Sequence, residues 1–328
     1  VVAAPGAAQS RQVGLARVGG ARALWRLSRP RFALWVLWIP CIGYGFAHWD
    51  RALDWTRPAA FLVVLLAWSL LNAGALWLNA ALDRDDAGAL YARATPLPEH
   101  LRSYAYASLA LATALAGLAS VATGLCAAAC ALLAVLYSHP LTAWKGHAVL
   151  GPAVNALGYG ILSGLAGWVL VGVSMNWRTA VTFALMTLWL VGATFAAQAF
   201  QQRDDAHHGY RTLVVTHGPR VCLKAARLCM HGAVVGVLAL ATVGWYPRVI
   251  LAAAPVFLIA ECWMRRWLER PDGGDARWAA GLIQRMLLGG TIMFALAYAD
   301  YLYSYYTGAA VAGLGTAAGR PAPTPDVP

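Results

Sequence analysis

Charge is what this chain most lacks. Only 12% of its 328 residues are charged and just 14 are Asp or Glu, against roughly a quarter charged in soluble domains. Together with a hydrophobic content of 60%, that shortage excludes an ordinary water-soluble enzyme, a disordered chain and a collagen-like one. Cysteine is sparse too. Cys41, Cys126, Cys130, Cys222, Cys229 and Cys262 show no Cys-x-x-Cys or Cys/His ligand spacing, so they read as small, buried apolar residues rather than as disulfides or zinc ligands.

Apolar and interfacial residues are abundant instead. The mean hydropathy is +0.57, and 15 Trp and 13 Tyr fit helices that cross hydrocarbon with aromatic rings at their ends. Nine apolar segments are long enough, or nearly so, to cross at about 20 residues each. They lie near 31–48, 59–79, 103–120, 121–137, 150–173, 179–199, 224–246, 248–264 and 281–306. The third and fourth divide where Ser, Thr and Gly collect, between Ser120 and Gly124. The expected fold is an all-α polytopic membrane protein, one domain over 21–310. Residues 1–20 are expected to form a flexible cytoplasmic tail, and 311–328, rich in Pro and Ala, a disordered one. Gly158, Gly160, Gly164 and Gly167 are expected to allow close helix approach.

The formal net charge of +11 invites a nucleic-acid reading, but its distribution argues otherwise. With nine crossings, 20 of the 25 Lys and Arg residues fall on the N-terminal side, as the positive-inside rule requires of a cytoplasmic N-terminus. The charge is a topology signal, and no nucleic-acid partner is needed to account for it.

With acids so scarce, their clustering is informative. Asn79, Asp83, Asp85 and Asp86 follow the second segment, and Asp204 and Asp205 follow the sixth, on the same expected membrane face. Asn79, Asp83 and Asp86 share one helix side. Crowded carboxylates need a neutralising cation, and hard divalent ions take oxygen ligands along with phosphate oxygens. Two facing clusters suit a diphosphate bridged by Mg²⁺. The plainer alternative is solvated loop charge, since each cluster carries an Arg.

These residues resemble the UbiA superfamily of intramembrane prenyltransferases. Residues 27–35, LSRPRFALW, are similar to the Arg-Pro start of that family's first helix. Asn79-x-x-x-Asp83 resembles its first Asp-rich motif. The run from Tyr137 to Lys145 resembles its Tyr-Ser-x-Pro-x-x-x-x-Lys stretch, and Asp205 with Gly209, Thr212, Leu213 and Gly218 its second motif. The chain departs at Ala87, where the first motif's last carboxylate would fall, and at Gln201, four residues before Asp205.

The resemblance implies nine transmembrane helices and an enzyme that moves a prenyl group from a polyprenyl diphosphate to a lipophilic or aromatic acceptor. It implies Mg²⁺ on Asn79, Asp83, Asp86 and Asp205, with Asp204 beside them. Lys145 and Arg211 would offset the leaving diphosphate, Tyr137 and Tyr159 would shield an allylic cation, and His139 would bind phosphate or move a proton. The prenyl tail would lie in an apolar groove open to membrane lipid. The site would face the cytoplasm, in a membrane of the bacterial inner type. Two alternatives stay open: a terpene cyclase on the same scaffold, and a non-catalytic lipid-binding or transport protein, which Ala87 and Gln201 favour.

Overall fold

The computed structural model describes residues 20–48, 55–83, 95–271 and 275–307. Residues 1–19 of the first expected tail, the whole of the second, and Asp85, Asp86 and Ala87 lie outside them, while Gly20 begins a helix. Among the described residues the fold is helical, with one isolated bridge between His147 and Arg211 as its extended pairing. A helix stands on each of the nine apolar segments. Six are long and apolar enough to cross a membrane: Pro58–Asp83, Val121–Ser138, Leu150–Val171, Trp177–Gln198, Leu213–Thr242 and Ala276–Ser304.

In chain order, a short α1 (Gly20–Leu27) precedes α2 (Pro30–Ala47), α3 (Pro58–Asp83), α4 (Leu101–Ala119) and α5 (Val121–Ser138). Pro30 starts α2, where its missing N–H costs nothing. The break between α4 and α5 falls at Ser120, whose extended backbone ends one helix and whose hydroxyl accepts the Thr123 N–H to begin the next. A 3-10 turn, Trp144–Gly146, leads to α6 (Leu150–Asn155), a π-helical stretch (Ala156–Leu162) and α7 (Ser163–Val171). Then come α8 (Trp177–Gln198), a short α9 (Gln202–His207), α10 (Leu213–Thr242), a 3-10 turn (Arg248–Ala253), α11 (Ala254–Glu269) and α12 (Ala276–Thr307).

The helices pack as two groups. Tyr44, Trp68, Leu78, Ala112, Ala127 and Trp168 tie α2, α3, α4, α5 and α7 into one core. Met230, Phe257, Met264, Trp267, Leu282 and Met286 tie α10, α11 and α12 into another, and α8 contributes to both through Phe183 and Ala196. In lipid, apolar burial between helices gains little, so close packing carries the association. A Cβ on Gly43 would collide with the Gly164 carbonyl, and one on Gly167 with the Pro40 carbonyl. Glycine there lets the backbones of α2 and α7 touch. Gly158 departs from the packing expectation, because a Cβ there would meet nothing.

Two boundaries differ from the hydropathy reading. α3 continues through Asp83, so the first acidic cluster begins on a helix. α10 starts at Leu213, well before the apolar run, and is kinked at Gly218, where φ is 82° and Pro219 follows. Cys126, Cys130 and Cys222 are buried as expected, but Cys41 and Cys229 are only partly buried and Cys262 is exposed.

Replacing Gly167 with Ala should force α2 and α7 apart and lower stability by about 1–3 kcal/mol. Gly232→Ala, whose Cβ meets nothing, should be neutral or slightly stabilising. Thermal unfolding of the two variants in detergent checks the contrast; equal midpoints would contradict it.

Candidate active site

A cavity of about 800 Å³ lies between the two helix groups. Its body is apolar, walled by Phe32, Trp35, Ile39, Trp68, Leu133, Met186, Trp189 and Phe294, among others. Its rim is polar. Arg29, Asn79, Asp83, Lys145, Asp204, Asp205, His207, His208, Tyr210 and Thr212 all line it, as do Tyr137 and Tyr159 lower down. The two acidic segments, far apart in the chain, therefore open onto one space.

Local structure explains how each arrives. Asn79 and Asp83 sit one turn apart at the end of α3 and point the same way. Lys145 is placed by the 3-10 turn Trp144–Gly146, which Ala143 enters in the left-handed region at φ 44°. Its ammonium is buried, donates to Asn79 Oδ1 at 2.9 Å and forms an ion pair with Asp83 Oδ1. Ser138 Oγ donates to the same Asn79 oxygen at 3.3 Å. Burying a lone lysine or aspartate would be costly, so each requires the other.

The second segment is held by a residue that motif reading passed over. Tyr210 donates its hydroxyl to Asp83 Oδ1 at 3.3 Å, and its ring lies 5.6 Å from the Lys145 ammonium. It stacks on His208 at 5.4 Å between centroids. Its ring lies so close over Gly146 that a Cβ there would strike it. Next to it, the Arg211 N–H donates to the Gly146 carbonyl at 2.7 Å. Tyr210 thus ties the Lys145 turn, the end of α3 and the segment after α9 together. Burial, reinforced by the Asp83 charge, pushes its phenol well above the ordinary value, so it stays a proton donor. An isolated Tyr beside Gly209 carries no spacing that marks it.

Asp205 occupies α9 and accepts from the Thr212 hydroxyl at 2.7 Å through Oδ2. Burial raises its carboxyl above the usual range, and the Thr212 bond opposes that rise. Asp204 beside it is exposed.

Two expected contributors stand elsewhere, and a third is not among the described residues. The Arg211 side chain is exposed and outside the cavity lining, because its backbone is bridged to His147 and Gly146. His139 caps the end of α5, accepts the Leu141 N–H at 3.3 Å on Nδ1, and also lies outside the lining. Asp86 falls outside the described residues. The cation at the rim besides Lys145 is Arg29, held at φ 49° immediately before Pro30. Its Arg-Pro signal is visible in the sequence as a helix start, not as a ligand.

The donor set suits a hard cation. Two uncharged or anionic oxygens, Asn79 Oδ1 and Asp83 Oδ1, already converge on one positive charge, the Lys145 ammonium. Gln198, one turn before α9, lines the cavity with its buried Oε1 unpartnered among the described residues. No cluster of three His, Cys, Asp or Glu forms among the described residues. Mg²⁺ takes one or two carboxylates and completes its shell with water and phosphate oxygens.

For the pH dependence, the sign follows from the raised Asp205 carboxyl. The folded state favours its protonated form, so this stabilising contribution is present below the ordinary carboxylate range and lost as pH rises through the raised value. Binding a cation needs the carboxylate and runs the opposite way. Removing the Thr212 hydroxyl with Thr212→Val should raise the Asp205 carboxyl further. The acid limb of inorganic diphosphate binding in Mg²⁺ should then move to higher pH, while Thr212→Ser leaves it in place. Titration by calorimetry at several pH values measures this, and an unmoved acid limb in Thr212→Val contradicts it.

Comparison with known proteins agrees with this architecture. The profile described as the UbiA prenyltransferase family matches residues 36–289. A protein named protoheme IX farnesyltransferase from Synechococcus elongatus is 32% identical over 197 residues, covering 56% of this chain and 58% of that protein. One of the same name from Nostoc sp. is 27% identical over 242 residues, covering 72% and 69%. The chain thus spans little more than half of the first of these relatives. Among solved structures, a digeranylgeranylglyceryl phosphate synthase superposes with a TM-score of 0.59 at 17% identity, over 86% of this chain and 99% of that one. A UbiA homolog from Archaeoglobus fulgidus bound to DMAPP and Mg²⁺ superposes at 0.58 and 19%, over 84% and 98%. These structural likenesses establish the fold. With a polar rim over an apolar cavity between two helix groups, and with the family profile matched over most of its length, the chain belongs to the UbiA prenyltransferase family.

Proposed function

We propose that this chain transfers a farnesyl group from farnesyl diphosphate to protoheme IX within the membrane. The observation that carries the reading is the meeting of Asp83 and Asp205 at the rim of one apolar cavity, with the Lys145 ammonium among them. The donor and acceptor are taken from the names of the curated relatives. Cation-neutralised carboxylates at the rim suit the diphosphate, and the aromatic and aliphatic walls suit an isoprenoid tail and a flat, lipophilic acceptor.

In this account the allylic C–O bond breaks and its electron pair leaves with the diphosphate. Lys145 and Arg29 bring positive charge to the oxygens on which negative charge grows, which is where electrostatic stabilisation has most effect. Asn79, Asp83 and Asp205 would hold Mg²⁺, with Asp204 beside them, and the ion would supply further neutralising charge to the leaving group. Tyr137 and Tyr159 present aromatic faces to the allylic carbon. An electron pair of the acceptor then forms the new bond to that carbon, and the positive charge this leaves on the acceptor is discharged by loss of a proton or addition of water. The apolar walls keep water from intercepting the cation. In this reading the rim faces the cytoplasm, the side to which the Lys and Arg distribution assigns it.

Membranes carrying the chain should convert protoheme IX and farnesyl diphosphate to a farnesylated heme, detected by mass, with diphosphate release that requires Mg²⁺. Asp83→Ala and Asp205→Ala should each lower the rate about 100-fold or more, as loss of a key stabilising group does. Wild-type rates in both variants would contradict the proposal. A hydrocarbon formed in the absence of heme would replace it with the cyclase reading.

A further inference from the structure

Asn72 carries hydrogen-bonding groups where the surroundings offer none. It lies on α3 seven residues before Asn79, two turns and about 10 Å deeper on the same face. It lines the cavity at 4% exposure, and neither its Oδ1 nor its Nδ2 has a hydrogen-bond partner among the described residues. Each unpaired buried group costs about 1–3 kcal/mol. A leucine of nearly the same shape would avoid that cost.

Nearby polar groups are already committed. Trp68, one turn below, donates its indole N–H to Ser163 Oγ at 2.9 Å, and Ser163 donates onward to the Gly158 carbonyl at 2.7 Å. That carbonyl belongs to the π-helical stretch, a feature frequent at functional sites. Leu71 and Ala75, the neighbours of Asn72 along α3, are apolar and also line the cavity. None of these residues carries a charge.

We infer that Asn72 is the polar anchor of the acceptor, pairing with a neutral group that both donates and accepts, namely a protonated carboxylic acid. The acid O–H donates to Oδ1 and its carbonyl accepts from Nδ2, which satisfies both ends of the amide together. A prenyl tail offers neither group. An ionised carboxylate is disfavoured, since burial without a cation favours the neutral acid. The inference rests on the heme-farnesylation reading: protoheme IX carries two propionic acid side chains along one edge. With that edge at Asn72, the opposite edge reaches toward the rim, where the diphosphate is proposed to bind.

The test is a Soret-band titration of the purified full chain in detergent with protoheme IX and with its dimethyl ester, which lacks the acid O–H. Wild type should bind the diacid about tenfold more tightly than the diester, equivalent to about 1.4 kcal/mol. Asn72→Leu should bind the two forms alike, at the diester's affinity, with an unfolding temperature equal to or above wild type. Asn72→Asp, neutral at that depth, should retain the preference. The same diacid-to-diester ratio in wild type and Asn72→Leu would overturn the assignment while leaving heme as the acceptor. So would a fall in the unfolding temperature of Asn72→Leu with binding of both forms lost together. Absence of heme binding by wild type would overturn the acceptor reading and this assignment with it.

Discussion

The arrangement depends on one buried charge pair, Lys145 with Asp83. Such a pair contributes little net stability, because desolvating both ions offsets most of their attraction, but losing either partner leaves a buried charge at a cost of about 3–5 kcal/mol. Its value is therefore positional. It fixes the end of α3 against the turn after α5, and Asn79 shares the same ammonium. Tyr210 extends the constraint to the segment after α9 by donating to Asp83 and lying beside Lys145. Three distant stretches of chain are held at one mouth without a sheet or a disulfide.

Below that mouth the physics changes. The cavity runs between two helix groups that also touch each other, through Trp38 and Phe46 of α2 against Phe294 of α12. The contacts of Gly43 and Gly167 draw α2 and α7 together on one side. The cavity draws its lining from both groups. The polar rim and apolar body then divide the proposed substrates by chemistry: charge is met at the end of the helices, and hydrocarbon along them. Asn72 breaks that division, which is why its unpaired amide invites a functional explanation.

Much of this was legible in the sequence, and the reasons are specific. Apolar runs near the length of a bilayer crossing locate helices well, because a single segment can satisfy its own backbone in hydrocarbon only as a helix. Asn79 and Asp83 are one turn apart, so a shared face could be read directly. Lys145 and Asp205 stood out because charge is scarce. What stayed hidden depends on tertiary contacts. Tyr210 acts through a neighbour distant in sequence, and Arg29 sits in a left-handed backbone conformation that a residue preceding proline does not ordinarily adopt. The beginning of α10 is polar and therefore invisible to hydropathy. Arg211 and His139 belong to the right stretches, but hydrogen bonds turn both away from the cavity lining. Six of the nine expected crossings are helices long and apolar enough to span, whereas α2, α4 and α11 fall short in length or composition.

The central claim is that Asp83 and Asp205 serve one bound anion. A double-mutant cycle on farnesyl diphosphate affinity in Mg²⁺, comparing Asp83→Asn, Asp205→Asn and the double variant, measures this directly. Two carboxylates acting on a single diphosphate should be coupled, with the double variant departing from the sum of the single effects by about 0.5–3 kcal/mol. Effects that simply add, within about 0.5 kcal/mol, would mean that the two residues serve separate sites.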